Sequence, residues 1–326
     1  MIRSTSEQSS RTPDRVVLVL RALGLGDALT GIPALRGIRR AYPDHRLLVA
    51  CGAELGSWLT ELGVVDGVVP TCGLEPITGA PVPDVAINLH GRGPRSHEIL
   101  RLTGAAQLHG FACPAAGFPN GPRWDDGAHE VDRWCALVRR IGGECGRSDL
   151  RLTRPGGRGG RGTSAPVVIH PGAASASRRW PVSRWNRLVH VLSARSQVLI
   201  TGGGAEADLC ADVGRGTTAE CVAGRTSIAE LADVVSASDL VVSGDTGIAH
   251  LATAYGVPSV TMFGPVPPSL WGSAIDPHLH RCIWHGTAAS AVGDPHGALI
   301  DPRLDAITVP EVLAAVHGLS PRLTGA

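Results

Sequence analysis

Short β-branched runs alternate with longer amphipathic stretches twice over in this chain, the alternation that an α/β parallel sheet requires. The first series opens with VVLVL at 16–20, read as a buried strand, and continues into a helix over 28–42. RLLVA at 46–50 is the second strand, VDGVVP and DVAINLH supply two more, and 130–142 reads as a helix. The second series starts at VVIH, 167–170, followed by a helix over 182–194, QVLIT at 197–201, a helix after Gly204 and a short strand at 220–222. A helix at 227–237 then leads to DLVVS at 239–243, a helix at 247–255 and PSVTMF at 258–263. Between the two series lies RPGGRGGRGTSAP, 154–166, rich in Gly and Arg with nothing to bury, which reads as a linker. The expected organisation is a disordered tail over 1–14, then Rossmann-like domains over 15–153 and 167–326. The final helix, 309–317, can belong to either. A length of 326 residues agrees with two domains of roughly 150 residues each.

Composition narrows the partners. The 30 basic residues, all arginine, balance 29 acidic ones, and a net charge of +1 argues against nucleic acid as the main partner. Without lysine there is no Schiff-base chemistry, and an anion must be held by Arg or by backbone N–H groups. The 8 cysteines never form CxxC, and the polar start MIRSTSEQSSRTPDR lacks the apolar stretch of a signal peptide, so reduced thiols and a cytoplasmic location are expected. No apolar run approaches the roughly 20 residues that span a bilayer. Peripheral contact with a lipid-linked acceptor stays open.

In an open α/β sheet the ligand sits beyond the C-terminal strand ends, so the strand-to-helix turns are where chemistry is sought. In the turn RALGLGDALTGIPAL, 21–35, Gly24 and Gly26 match the start of GxGxxG, but Leu29 takes the third position and no acidic residue ends the second strand. Asp27 stands at its mouth and reads equally as a helix N-cap or as a functional carboxylate. In TGGGAEAD, 201–208, Gly202, Gly204 and Ala207 satisfy GxGxxA, with Glu220 near the distance of a ribose-binding acid. That turn supports a competing class, a nicotinamide- or flavin-dependent oxidoreductase. The turn SGDTGIAHLATA, 243–254, ends a strand in small residues and starts a helix, leaving N–H groups at Thr246 and Gly247 free for a diphosphate. Thr246 and His250 share a helical face, where His250 serves either the core or the ligand.

At these residues the chain resembles the heptosyltransferase family of glycosyltransferases, which have the GT-B fold of two Rossmann-like domains. The resemblance rests on LGLGDALTGIPALRGIRRAYP, INLHG at 87–91, HPGAASASRRWPVSRWNRL at 170–188 and SGDTGIAHLATAYGVPSVTMFGP at 243–265. It implies an inverting, metal-independent transfer of a sugar from a nucleotide-diphosphate donor such as ADP-heptose, with Asp27 as catalytic base. It also implies donor binding by Ser175, Arg178, Glu206, Asp245, Thr246, Gly247 and His250. Arg178 stands where the family often has a lysine on the diphosphate, and Glu206 where it touches the nucleoside. Acceptor binding is expected at Gly26, Asn88, His90 and Arg92, with Arg95 nearby, on the face of the cleft that carries the INLHG strand end. INLHG departs from the family's usual acidic-then-glutamine version and so marks a different acceptor, and GDPHG at 293–297 lies outside the shared pattern. No DxD motif occurs, WDDG at 124–127 reads as a solvated loop, and neither a metal nor a cofactor is expected. The same two-domain pattern also fits a sugar-nucleotide epimerase, which performs no transfer, and a non-catalytic nucleotide-sugar binder.

Overall fold

The computed structural model describes residues 15–154, 165–287 and 292–324. The expected tail over 1–14 and all of the expected linker except 154, 165 and 166 lie outside the described residues. The chain forms two compact units. One holds 15–22, Ile38–Trp124 and Ile141–Gly143; the other holds Leu23–Gly37, Asp125–Arg140 and the chain from Glu144 onward.

The first unit is built on a parallel sheet of β1 (Val16–Leu20), β2 (Arg46–Cys51), β3 (Gly67–Pro70), β4 (Val85–Asn88) and β5 (Gln107–His109), in the order β3-β2-β1-β4-β5. The helices along this stretch are α1 (Leu25–Ala41), α2 (Ala53–Glu61) and α3 (Arg95–Arg101). β1 is buried along its whole length, as its unbroken aliphatic run requires for a strand covered on both faces. Val16, Leu18 and Leu20 pack with Leu48, Ala50, Ala86, Ile99 and Leu100. The strand order reverses between β1 and β4, where Leu20 pairs with Asn88.

In the second unit, α4 (Glu130–Arg139) precedes a six-stranded parallel sheet. Its elements are β6 (Val167–His170), α5 (Val182–Ser193), β7 (Val198–Ile200), α6 (Ala207–Gly214), β8 (Glu220–Cys221), α7 (Ile228–Ala237), β9 (Leu240–Gly244), α8 (Gly247–Tyr255), β10 (Ser259–Met262), α9 (Pro268–Trp271), β11 (His280–Ile283), α10 (Pro302–Asp305) and α11 (Val309–Leu319). The order is β11-β10-β9-β6-β7-β8, so the reversal falls between β6 and β9, with His170 opposite Ser243. Trp180, Trp185, Leu188 and Val189 pack against Val312 and Val316, which places α11 in the core of this unit.

The units do not divide at 153. Arg36 donates to the carbonyl of Arg151 at 2.8 Å, and a Cβ on Gly37 would stand 2.8 Å from Val138 and 2.9 Å from Cys145. These close contacts hold the first three turns of α1, together with α4, in the second unit, because a helix goes with the surface its buried stripe covers rather than with its sequence neighbours.

Candidate functional site

The switch point between β6 and β9 is where an open parallel sheet receives its ligand. A pocket of about 540 Å³ opens there. Its walls come from 23–27, His170, Ala173, Ala174, Arg178, Glu206, 245–247, His250, Val266, Trp271, Pro295 and His296, all within the second unit. Of the residues singled out from sequence, Gly26, Asp27, Arg178, Glu206, Asp245, Thr246, Gly247 and His250 therefore share one cavity.

Two helix N-termini meet in it. α8 starts at Gly247 after an extended Thr246 whose own side chain does not cap the first N–H groups of the helix. α1 starts at Leu25, and Gly24 accepts the first helical bond from Ala28. Asp27 thus lies inside the first turn and not at the N-cap, a correction to the capping reading. The helix begins three residues earlier than position 28, with Gly24 already supplying its first carbonyl. The two starts touch: a Cβ on Gly26 would lie 3.2 Å from the His250 ring and 3.3 Å from Gly247 Cα. Both helix dipoles present their positive ends here, which favours an anion.

Arg178 ends a 3-10 turn, Ala176–Arg178, and reaches the carbonyl of Asp245 at 3.3 Å. Its Nε is buried without a hydrogen-bond partner, so the guanidinium keeps donor capacity in reserve. Ser175 lies outside the pocket wall, and its carbonyl accepts from Arg178 N at 3.1 Å to close that turn. The buried Asp245 carboxyl is pushed up to about 6 by burial, with the Asp27 charge adding to the rise and Arg178 opposing it. Burial holds His250 down at about 4, helped by His129, so its imidazole is neutral near pH 7. The His250 and Trp271 rings meet edge-on, with centroids 5.8 Å apart. His129 takes its nitrogen pattern from two fixed partners: Nδ1 accepts from Val131 N, and Nε2 donates to the carbonyl of Gly272.

At the far end, Glu206 lies on Gly172, where a Cβ would fall 2.2 Å from its carboxyl, and Oε2 accepts from Gly203 N at 2.8 Å. Beside it, His170 Nδ1 lies 2.9 Å from Thr201 Oγ1; burial lowers the His170 pKa, and the Glu206 charge opposes that.

The remaining sequence candidates belong to the first unit. Asn88 is fully buried, and its amide organises the strand-end loop. Nδ2 donates to Ser96 Oγ at 2.9 Å and lies 3.1 Å from His97 Nδ1, while Oδ1 accepts from His90 N at 3.0 Å. His90 is half-buried, and its Nδ1 has no hydrogen-bond partner. Burial and the neighbouring Arg21 charge lower it to about 4. The Arg92 guanidinium sits 6.0 Å from the Trp124 ring centroid, and Arg95 pairs with Glu98 at 3.7 Å.

Sequence reasoning does not single out His170, Val266, Trp271, Pro295 or His296 as pocket residues. His170 carries a usable signal, since it ends the strand that begins the second sheet. Trp271 carries only a faint one, a tryptophan in the Pro-rich PVPPSLWG stretch. Among the described residues no three His, Cys, Asp or Glu side chains gather where a metal ion could be held, and no helix is long and apolar enough to cross a membrane.

Comparison with known proteins bears on the family and the fold. Residues 120–291 match the family described as glycosyltransferase family 9 (heptosyltransferase). Lipopolysaccharide heptosyltransferase 1 of Pseudomonas aeruginosa is 32% identical over 109 residues, a stretch covering 33% of this chain and 30% of that one. The enzyme of the same name from Salmonella typhimurium is 24% identical over 291 residues, covering 78% of this chain and 90% of its own length. The solved structure of the E. coli ADP-heptose lipopolysaccharide heptosyltransferase II superimposes with a TM-score of 0.72 at 20% identity, covering 93% of this chain and 98% of that one. With two parallel sheets, four ordered motifs and a matching family model, the chain belongs to glycosyltransferase family 9, the heptosyltransferase family, and has its GT-B fold.

Proposed function

We propose that this glycosyltransferase moves a heptose from ADP-heptose to a hydroxyl of a saccharide acceptor, by a single inverting displacement that needs no metal. The observation that carries the reading is the meeting, in one pocket, of two helix N-termini, the under-used Arg178 guanidinium and the Asp27 carboxylate. The ADP-heptose donor is taken from the name of the E. coli structural neighbour.

In this reading the diphosphate rests against the N–H groups that open α8 at Thr246 and Gly247, with Arg178 supplying the full positive charge. Asp245 and His250 border the same anion, and Ser175 shapes its loop through the turn that carries Arg178. Glu206, with His170, faces the nucleoside. As the acceptor oxygen attacks the anomeric carbon, its proton passes to Asp27. The bond from that carbon to the diphosphate oxygen breaks, and its electron pair leaves on the nucleoside diphosphate. Developing negative charge is stabilised by dipoles and a cation already in place, the form of assistance that accelerates transfer most. Gly26 keeps the Asp27 turn free of a side chain. On the first unit, His90 and Arg92 are the acceptor-binding side chains, and Asn88 acts on the acceptor by holding His90.

Membership of a glycosyltransferase family sets aside the oxidoreductase reading of 201–208. There the strand end is followed by a 3-10 turn, Gly204–Glu206, before α6 starts. Calorimetric titration with ADP, GDP, UDP and NAD tests the donor. ADP should bind tightest, and Arg178→Ala should weaken it at least about tenfold, as for a lost charge-assisted contact. Preference for NAD, or ADP affinity unchanged in Arg178→Ala, would remove the donor site as described.

A further inference from the structure

The pocket has an order along its length. Glu206 and His170 stand at the β6–β7 end, with Glu206 lying on Gly172. Arg178 and Asp245 come next, joined at 3.3 Å. Gly26 meets both Gly247 and His250, and Trp271 meets the His250 ring at 5.8 Å between ring centroids. A nucleoside diphosphate sugar is also a linear object. On the proposed donor reading, its charged middle belongs at Arg178 and the α8 start, and its two ends must lie to either side. The end that reacts has to be the one beside Asp27, in the turn that Gly26 shares, so the sugar lies toward His250 and Trp271 and the nucleoside toward Glu206.

We propose that Trp271 is the platform for the transferred sugar and sets which sugars the donor site accepts. A sugar ring in its chair form has one face of C–H bonds, weakly positive, which the negative face of an indole attracts while burying its apolar area. Val266 and Pro295 line the pocket with Trp271 and His250 and give the indole apolar neighbours. Trp271 is only half-buried, so part of the indole remains open on the pocket. The residue after it is held at two points. The carbonyl of the next residue, Gly272, accepts from His129 Nε2 at 3.0 Å, and Gly272 N donates to Pro268 at 2.7 Å. A Cβ on Gly272 would stand 2.5 Å from the Pro268 carbonyl, so the tight exit from α9 that aims the indole depends on glycine there.

The test compares ADP with ADP-heptose by calorimetry in the full chain, for wild type, Trp271→Phe, Trp271→Leu and Trp271→Ala, with melting temperatures beside them. ADP affinity should stay within about twofold throughout, because ADP lacks the sugar. ADP-heptose should bind at least about fivefold more weakly to the Leu and Ala variants and nearly normally to Phe, which keeps an aromatic face. Equal losses for both ligands would make Trp271 a packing residue, and unchanged ADP-heptose affinity would place the sugar elsewhere; either overturns the proposal. Leu binding like wild type would remove the aromatic ring from the account. If wild type binds neither ligand, the donor reading itself falls and takes this one with it.

Discussion

Gly247 and Gly26 approach each other so closely that a Cβ on Gly247 would lie 2.9 Å from the Gly26 nitrogen and 2.9 Å from Leu25 Cβ. The start of α8 is therefore pressed against the start of α1, and the N-terminal end of one helix is positioned by the backbone of the other.

Gly247→Ala should expose that dependence. Alanine favours a helix over glycine by up to about 1 kcal/mol, so an isolated helix would gain. Here the added methyl meets backbone and a Cβ, neither of which can rotate away, and the two helix ends must part. ADP affinity should fall at least about tenfold with little rise in melting temperature. Affinity within twofold of wild type would mean that the contact is slack.

Much of the fold is legible in the sequence because it rests on local patterning. The buried strands β1, β6 and β9 announce themselves as aliphatic runs, and α8 falls where small residues end a strand just before Gly247. Asp27 is legible as belonging to a functional turn, but its helical position is not, since nothing local reveals that Gly24 already serves as the first carbonyl of α1. The division of the units is hidden for a similar reason: the contacts from Arg36 and Gly37 to residues more than a hundred positions away leave no trace in periodicity. Trp271 enters the pocket through tertiary packing on His250, which no spacing rule predicts. Asn88 carries the opposite lesson. Its place at a strand end marks it as a candidate, while its full burial and its bonds to Ser96 and the His90 backbone show an amide that holds the loop.

Asp245 gives a pH signature. Its folded pKa of about 6 exceeds the unfolded 3.8, so between those values the folded chain keeps a proton that the unfolded chain has lost. Folding is therefore favoured as pH falls through that window, and above pH 6 the whole penalty of a buried carboxylate is present. Asp245→Asn removes the penalty. The variant should melt higher than wild type at pH 8, and the difference should shrink steadily toward pH 4. An Asn variant that is less stable at pH 8 would show that attraction to Arg178 outweighs burial.

His90 distinguishes acceptor from donor recognition. Held at about 4, it stays uncharged between pH 6 and 8 and can offer only neutral hydrogen bonds. His90→Ala should raise the acceptor KM several-fold, leave ADP affinity unchanged, and leave the shape of the wild-type pH profile across that range intact. A raised donor KM with a normal acceptor KM would move His90 to the other substrate.

On the proposed function, Asp27 is the general base. As a carboxylate in the first turn of α1 it also interacts with the helix dipole, a contribution of about 0.3–1 kcal/mol that Asn would forfeit. A purely structural role therefore predicts a small drop in melting temperature and near-normal turnover for Asp27→Asn. A general base predicts something else: kcat falling by roughly 10²–10⁴-fold while ADP affinity holds, because the lost interaction exists only in the transition state. Steady-state turnover with the true acceptor, measured beside melting temperature and ADP binding, separates the two roles. Retention of more than about a tenth of wild-type kcat would take the base away from Asp27, since the loss of general-base catalysis costs more than that.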